Sequence, residues 1–200
     1  MAEPSGAPRK KATRKKTARK TATRKHRRPR VPAAHVEAIV EALAEHDPNP
    51  RCALDHANPL ELVAATILSA QCTDERVNQV TPQLFARWPT PADLAAAEQT
   101  DVEEVVHSTG FFRNKAKNLI GMARRVHEVF DGEVPRGMDD LLSLPGVARK
   151  TANVVRGECW GLADGVVVDT HVNRLSTRIG FSSKTDPVQV ERDLMALVPQ

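Results

Sequence analysis

Residues Leu144–Val155 read LPGVARKTANVV, and nineteen positions after Lys150 an isolated carboxylate, Asp169, stands in VVVDTHVNR. Met138 to Leu144 is an apolar helical run carrying Leu141, Leu142 and Leu144, and Pro145-Gly146 ends it. Pro145 has no backbone donor to continue a helix, whereas Gly146 takes φ > 0 without a Cβ penalty and reverses the chain. A second helix follows at once, with Val147, Val154 and Val155 available for packing. The stretch therefore predicts helix, tight hairpin, helix. The N–H groups of Gly146, Val147 and Ala148 are expected to be free and to point outward together. Free amides at the positive end of a helix dipole form an anion site suited to phosphate.

Lys150 falls in the first turn of the second helix, where the dipole and the neighbouring Arg149 both disfavour a cation. A neutral amine beside a sugar-phosphate backbone is a candidate nucleophile for Schiff-base chemistry. The competing reading is that Arg149 and Lys150 only contact phosphate. Asp169 has an equally plain reading as the N-cap of a helix through Val172, Leu175 and Ile179. Gln71 fits the polar side of a core helix, His171 fits a histidine that satisfies a buried carbonyl, and Phe111 and Phe112 fit a core.

Charge is divided sharply along the chain of 200 residues, which suits one or two compact domains. Up to Arg30 there are thirteen Lys and Arg against one acid, Glu3, and the rest carries sixteen bases and twenty-four acids; +12 and −8 give the net +4. The pI of about 9.1 thus belongs to residues 1–30. That segment is too poor in apolar residues to form a core, so a disordered cationic arm that binds phosphate with steep salt dependence is expected. It lacks the apolar stretch of a secretory signal, and an organellar transit peptide is the alternative. No apolar run is long enough to span a membrane. In the acidic remainder, Arg149, Lys150 and Arg156 together with Arg113, Lys115 and Lys117 are expected to make a local basic face. Cys52, Cys72 and Cys159 are widely spaced and form no C-x-x-C pair, so neither a disulfide framework nor a zinc site is supported.

Helical periodicity recurs throughout. Val36, Ile39, Val40 and Leu43 predict a helix ending near His46. Asn58 caps a helix with Pro59 first and Glu61 third, reaching about Ala70. Thr73 or Asp74 opens the next, which packs Val77, Val80, Leu84 and Phe85. Thr100 with Glu103 is expected to form a capping box ahead of Val102, Val105 and Val106, and Leu119, Met122, Val126 and Val129 mark a further helix. The only extended apolar run, Val166 to Val168, is too short for a sheet. The fold expected is all-α.

LPGVARKTANVV followed by VDTHVNR resembles the helix-hairpin-helix DNA glycosylases and, within them, the endonuclease III family. PLELVAATILSAQCTDERVN (59–78), STGFFRNKAKNLI (108–120) and GEVP (132–135) are similar to the same family in the same order, so the resemblance covers about His35 to Gln200. It implies two helical domains facing each other across a cleft. Residues 58–168 would be a six-helix domain holding the hairpin; residues 31–57 and 169–200 would belong to a second domain, after a basic tail at 1–30. It implies a bifunctional enzyme of base-excision repair that removes oxidised pyrimidines from double-stranded DNA and cuts the abasic site by β-elimination. Lys150 would be the Schiff-base nucleophile and Asp169 the carboxylate that activates it or supports a cationic sugar. Gln71 would enter the space left by the extruded base. Phe111, where leucine is common, would be the wedge, consistent with its setting between Gly110 and Arg113. His171 matches the histidine beside the catalytic carboxylate. Ala148 replaces the second hairpin glycine, which narrows the approach to phosphate.

The resemblance also implies a 4Fe-4S cluster bound by four cysteines in a segment starting shortly after Pro199. The expectation is a chain that continues past Gln200 and leaves Val36, Ile39, Leu194 and Leu197 partly unburied without that segment. A monomer in the cytoplasm, associated with the nucleoid if bacterial, is expected. Two other functions stay open: a glycosylase for a different damaged base, and a noncatalytic helix-hairpin-helix DNA-binding module.

Overall fold

The computed structural model describes residues 31–198; the expectations for the tail at 1–30 lie outside the described residues, as do Pro199 and Gln200. Among the described residues the chain is all-α. Its helices are α1 (Ala33–His46), α2 (Pro59–Leu68), α3 (Asp74–Arg87), α4 (Pro91–Ala95) and α5 (Gln99–Val106), then a 3-10 turn (His107–Thr109), α6 (Phe112–Val129), α7 (Met138–Leu142), α8 (Arg149–Trp160), α9 (Thr170–Ile179) and α10 (Pro187–Met195). Residues 58–168, expected to hold six helices, hold seven, of which α4 and α7 have five residues each.

Local chemistry starts most of these helices where the sequence places the starts. Asn58 accepts the Glu61 N–H at 3.0 Å, and the Glu61 carboxylate reaches back to the Ala57 N–H at 2.7 Å. Thr73 caps α3 through the Arg76 N–H. The expected Thr100–Glu103 box is not there. α5 begins two residues earlier, with Glu98 as a cap that makes no side-chain bond, because burying Val102 and Val106 sets the helix phase. The capping box forms instead at Thr90 and Asp93, whose side chains each bond the other's backbone N–H. Such a cap contributes about 1 kcal/mol. α2 also stops at Leu68 rather than near Ala70, and the chain turns at Ser69.

Two clusters of buried apolar side chains result. The larger draws on α2 to α8, centred on Leu62, Leu68, Leu84, Leu119, Met122 and Leu141. The smaller gathers Val36 of α1, Val168, Phe181, and Val190 and Leu194 of α10, with Ile39, Val172 and Leu197 against it. Val36 and Leu194, expected to be left partly unburied, are in fact buried there. Leu43, which marks the helical spacing of α1, and Leu175 and Ile179, on the helix that Asp169 caps, are exposed.

Candidate active site

The hairpin between α7 and α8 closes by a hydrogen bond from the Val147 N–H to the Leu144 C=O at 3.1 Å. Gly146 has φ +82°, so Leu144-Pro145-Gly146-Val147 follows the pattern of a type II turn, with proline second and glycine third. A Cβ on Gly146 would come within 3.0 Å of the Asn118 Cβ, so the turn needs glycine for space as well as for φ. Val147, expected to present a free amide, instead spends that amide on the turn and buries its side chain in the larger cluster. Among the described residues the N–H groups of Gly146 and Ala148 donate to no backbone acceptor, and the free amides continue into α8. Ala148 caps α8 and its C=O accepts from the Ala152 N–H, which leaves the N–H groups of Arg149, Lys150 and Thr151 without intrahelical acceptors.

Lys150 is the second residue of α8 and is exposed. Arg149, expected to face phosphate, turns away. Its guanidinium makes a bidentate ion pair with Glu191 of α10, Nε to Oε2 at 2.6 Å and Nη2 to Oε1 at 3.1 Å. Glu191 thus neutralises the cation that the sequence places beside Lys150. Glu191 is only 5% exposed and also accepts from Asn153 Nδ2 at 2.8 Å. Burial raises its carboxyl, but the hydrogen bonds from Arg149 and Asn153 outweigh that and hold it below the usual glutamate range. Arg149 moves up in step, through its hydrogen bonds to Glu191.

Asn153 also donates to the Val166 C=O at 3.2 Å. Gly165 allows that approach, because a Cβ there would lie 2.4 Å from Asn153 Oδ1. One polar network thus ties α8, α10 and the segment that leads into Asp169. Lys150, Asn153, Val166, Val168 and Glu191 line a shallow pocket in this region. Arg156, expected on a basic face, is buried and pairs with Asp164.

Asp169 is half-buried and caps α9, its Oδ1 accepting the Val172 N–H at 2.7 Å. The capping role is therefore real, and it leaves Oδ2 as a second carboxylate oxygen. His171, expected to satisfy a buried carbonyl or to act beside the carboxylate, is exposed with Nδ1 3.3 Å from Arg174 Nη2.

Gln71 and Phe111 lie outside helices, on the turns that precede α3 and α6. Both are exposed, Phe111 by 68%, and both hold left-handed backbone, with φ +55° and +47°. Phe111 is not a core residue; Phe112 packs into the larger cluster and against His107, ring centroids 4.4 Å apart. Lys115 is the sharpest departure from the expected basic face. It is 4% exposed and points inward, donating to the Leu68 C=O at 2.8 Å and the Thr109 C=O at 2.7 Å. Desolvation pushes its ammonium below the usual lysine range, which Cys72 partly offsets. Sequence reasoning missed both Lys115 and Glu191, although each occupies an apolar-stripe position, Lys115 with Leu119, Met122 and Val126, and Glu191 with Val190 and Leu194.

Cys52, Cys72 and Cys159 are free thiols, and burial raises the first and last. No group of three or more His, Cys, Asp or Glu side chains among the described residues could hold a metal ion. With three cysteines in the sequence, the residues present do not fit a four-cysteine cluster. Among the described residues no helix is long and apolar enough to cross a membrane.

Residues 64–200 match the family described as HhH-GPD superfamily base excision DNA repair protein. The chain is similar to endonuclease III of Synechocystis sp. (strain ATCC 27184 / PCC 6803 / Kazusa), 60% identical over 153 residues that make up 76% of this chain and 70% of that one. Against endonuclease III of Bacillus subtilis (strain 168) it is 43% identical over 166 residues, 82% of this chain and 75% of the relative. A solved trapped endonuclease III–DNA covalent intermediate, with an estranged adenine, superposes with a TM-score of 0.80 at 40% identity, covering 84% of this chain and 79% of that one.

Proposed function

The chain belongs to the HhH-GPD superfamily of base excision DNA repair proteins, and on that premise we propose a bifunctional DNA glycosylase and abasic-site lyase whose nucleophile is Lys150. The observation that carries the reading is Lys150 itself, an exposed amine on the second residue of a helix that follows a Pro-Gly hairpin. The amides at the start of α8 and the Gly146 turn hold a phosphate of the damaged strand. Flipping the damaged nucleotide costs a few kcal/mol, least where pairing is already weak. Gln71 and Phe111 enter the duplex at that point, and their exposure on left-handed turns supports this use.

Lys150 Nζ attacks the anomeric carbon as the glycosidic bond breaks, and the electron pair of that bond leaves with the base. Loss of a proton from nitrogen and opening of the sugar ring give an iminium. The iminium makes the adjacent hydrogen acidic; its removal expels the 3′ phosphate oxygen and cuts the strand, and water then releases Lys150. Asp169, through the oxygen not used in capping, accepts the proton from Lys150 or stabilises positive charge on the sugar. His171, exposed in the first turn of α9, would contact the same strand. Arg149 acts through Glu191, by registering α8 against α10, more than through phosphate. The helices of residues 58–168 form the DNA-holding domain and α1 with residues 169–200 the second. A 4Fe-4S cluster is general in endonuclease III, and the three cysteines present do not supply a four-thiolate set for it. The protein acts as a monomer on double-stranded DNA in the cytoplasm.

Oxidised pyrimidines are the substrate this reading favours. Duplexes that each carry one defined lesion test it. Strand cuts at oxidised pyrimidines and at abasic sites are expected; cuts confined to oxidised purines or alkylated bases would assign a different lesion, and binding without cuts would favour the noncatalytic module.

A further inference from the structure

Among the described residues, three non-glycine positions take positive φ: Gln71, Phe111 and Asp131. Aspartate tolerates that conformation; glutamine and phenylalanine do so less readily. The two unusual turns share one buried side chain. Lys115 donates to the C=O of Leu68, the last residue of α2 and three positions before Gln71, and to the C=O of Thr109, the end of the 3-10 turn and two positions before Phe111. Its own backbone N–H bonds the Phe111 C=O at 3.1 Å. One residue therefore anchors both turns to the first turn of α6.

We propose that Lys115 is a positioning residue for opening duplex DNA, an internal brace that fixes the spacing between Gln71 and Phe111 so that both reach the duplex as one unit. The proposal rests on the reading that these two side chains enter DNA. Carbonyls that end helices carry partial negative charge and lack intrahelical donors, and an ammonium satisfies them. Burying an ammonium is costly, and packing alone would be met by leucine or methionine at this stripe position. What an apolar residue cannot do is hold two carbonyl oxygens from separate segments within the span of two hydrogen bonds. Thr109 is itself buried, with its hydroxyl donating to the Val106 C=O at 2.8 Å, so the pull on its carbonyl passes directly to Gly110 and Phe111.

The test uses the full chain and two substrates, an abasic site in duplex DNA and the same abasic site in single-stranded DNA, where nothing has to be opened. Single-turnover cleavage by Lys115→Met, normalised to the fraction able to form a borohydride adduct on the single strand, is expected to fall about tenfold or more on the duplex and to change less than about twofold on the single strand. Lys115→Gln, which keeps an amide donor for one carbonyl, should lie between, and it is read in the same way if Lys115→Met does not fold. Equal losses on both substrates, or no loss on the duplex, would overturn the proposal. Gln71→Ala and Phe111→Ala are measured alongside. If they leave the duplex rate unchanged, the insertion reading fails; if they slow it while both Lys115 variants do not, the brace alone fails.

Discussion

The hairpin ahead of α8 and the turns ahead of α3 and α6 meet the same backbone need in opposite ways. Each needs a left-handed residue; the hairpin assigns it to Gly146, the turns to Gln71 and Phe111. Glycine adopts that conformation freely, whereas a residue with a Cβ is strained by about 1–2 kcal/mol. At the hairpin glycine is needed for space as well, because a Cβ there would meet Asn118. At the two turns the side chain is retained despite the strain, and both side chains face solvent. Strain kept at an exposed residue points to a use for that residue beyond the fold. On the function proposed above, the two regions divide the work: amides, Lys150 and Asp169 would serve grip and chemistry, Gln71 and Phe111 the opening of the duplex.

The largest effect that would break this division is at Asp169. Asparagine caps a helix as well as aspartate does, so Asp169→Asn keeps the bond to Val172 and removes only the charge. Turnover should drop about 10²-fold or more, equally on duplex and single-stranded abasic sites, with DNA affinity retained. Comparable rates for the variant and the parent in single-turnover assays would reduce Asp169 to its cap and move the chemistry away from α9.

A smaller effect of opposite character is expected at Gln71. Gln71→Gly removes the strain, so thermal unfolding should show a gain of about 0.5–1 kcal/mol, while cleavage slows severalfold on duplex DNA and not on the single strand. Stability and activity moving in opposite directions is the signature of a residue kept for use. A glycine variant that is both less stable and fully active would show that the turn at Gln71 carries no such strain and no such role.

What was legible in the sequence follows the same line. The hairpin could be read because proline and glycine state their backbone conformations, and the caps at Asn58 and Thr73 because each lies just before a helix whose apolar phase agrees with it. Thr100–Glu103 fits the capping pattern as well as Thr90–Asp93 does; only the burial of Val102 and Val106 decides between them, and that is a tertiary fact. Charge misled in the same way. Lys115 and Arg156 count as bases in any composition, yet one is turned inward onto two carbonyls and the other onto Asp164. Arg149 lies beside the hairpin in sequence, but its partner Glu191 is forty-two residues away, and no local rule pairs them. The left-handed turns at Gln71 and Phe111 carried no local mark, since neither residue prefers that conformation.

Covalent trapping tests the central assignment most directly. Borohydride added during cleavage of abasic-site DNA reduces the iminium to a stable adduct, and peptide mapping locates the attached residue. The adduct is expected on Lys150 and should vanish in Lys150→Ala, whose fold persists because the side chain is exposed at the start of α8. An adduct of undiminished yield in that variant, or one mapped to another amine, would contradict the account.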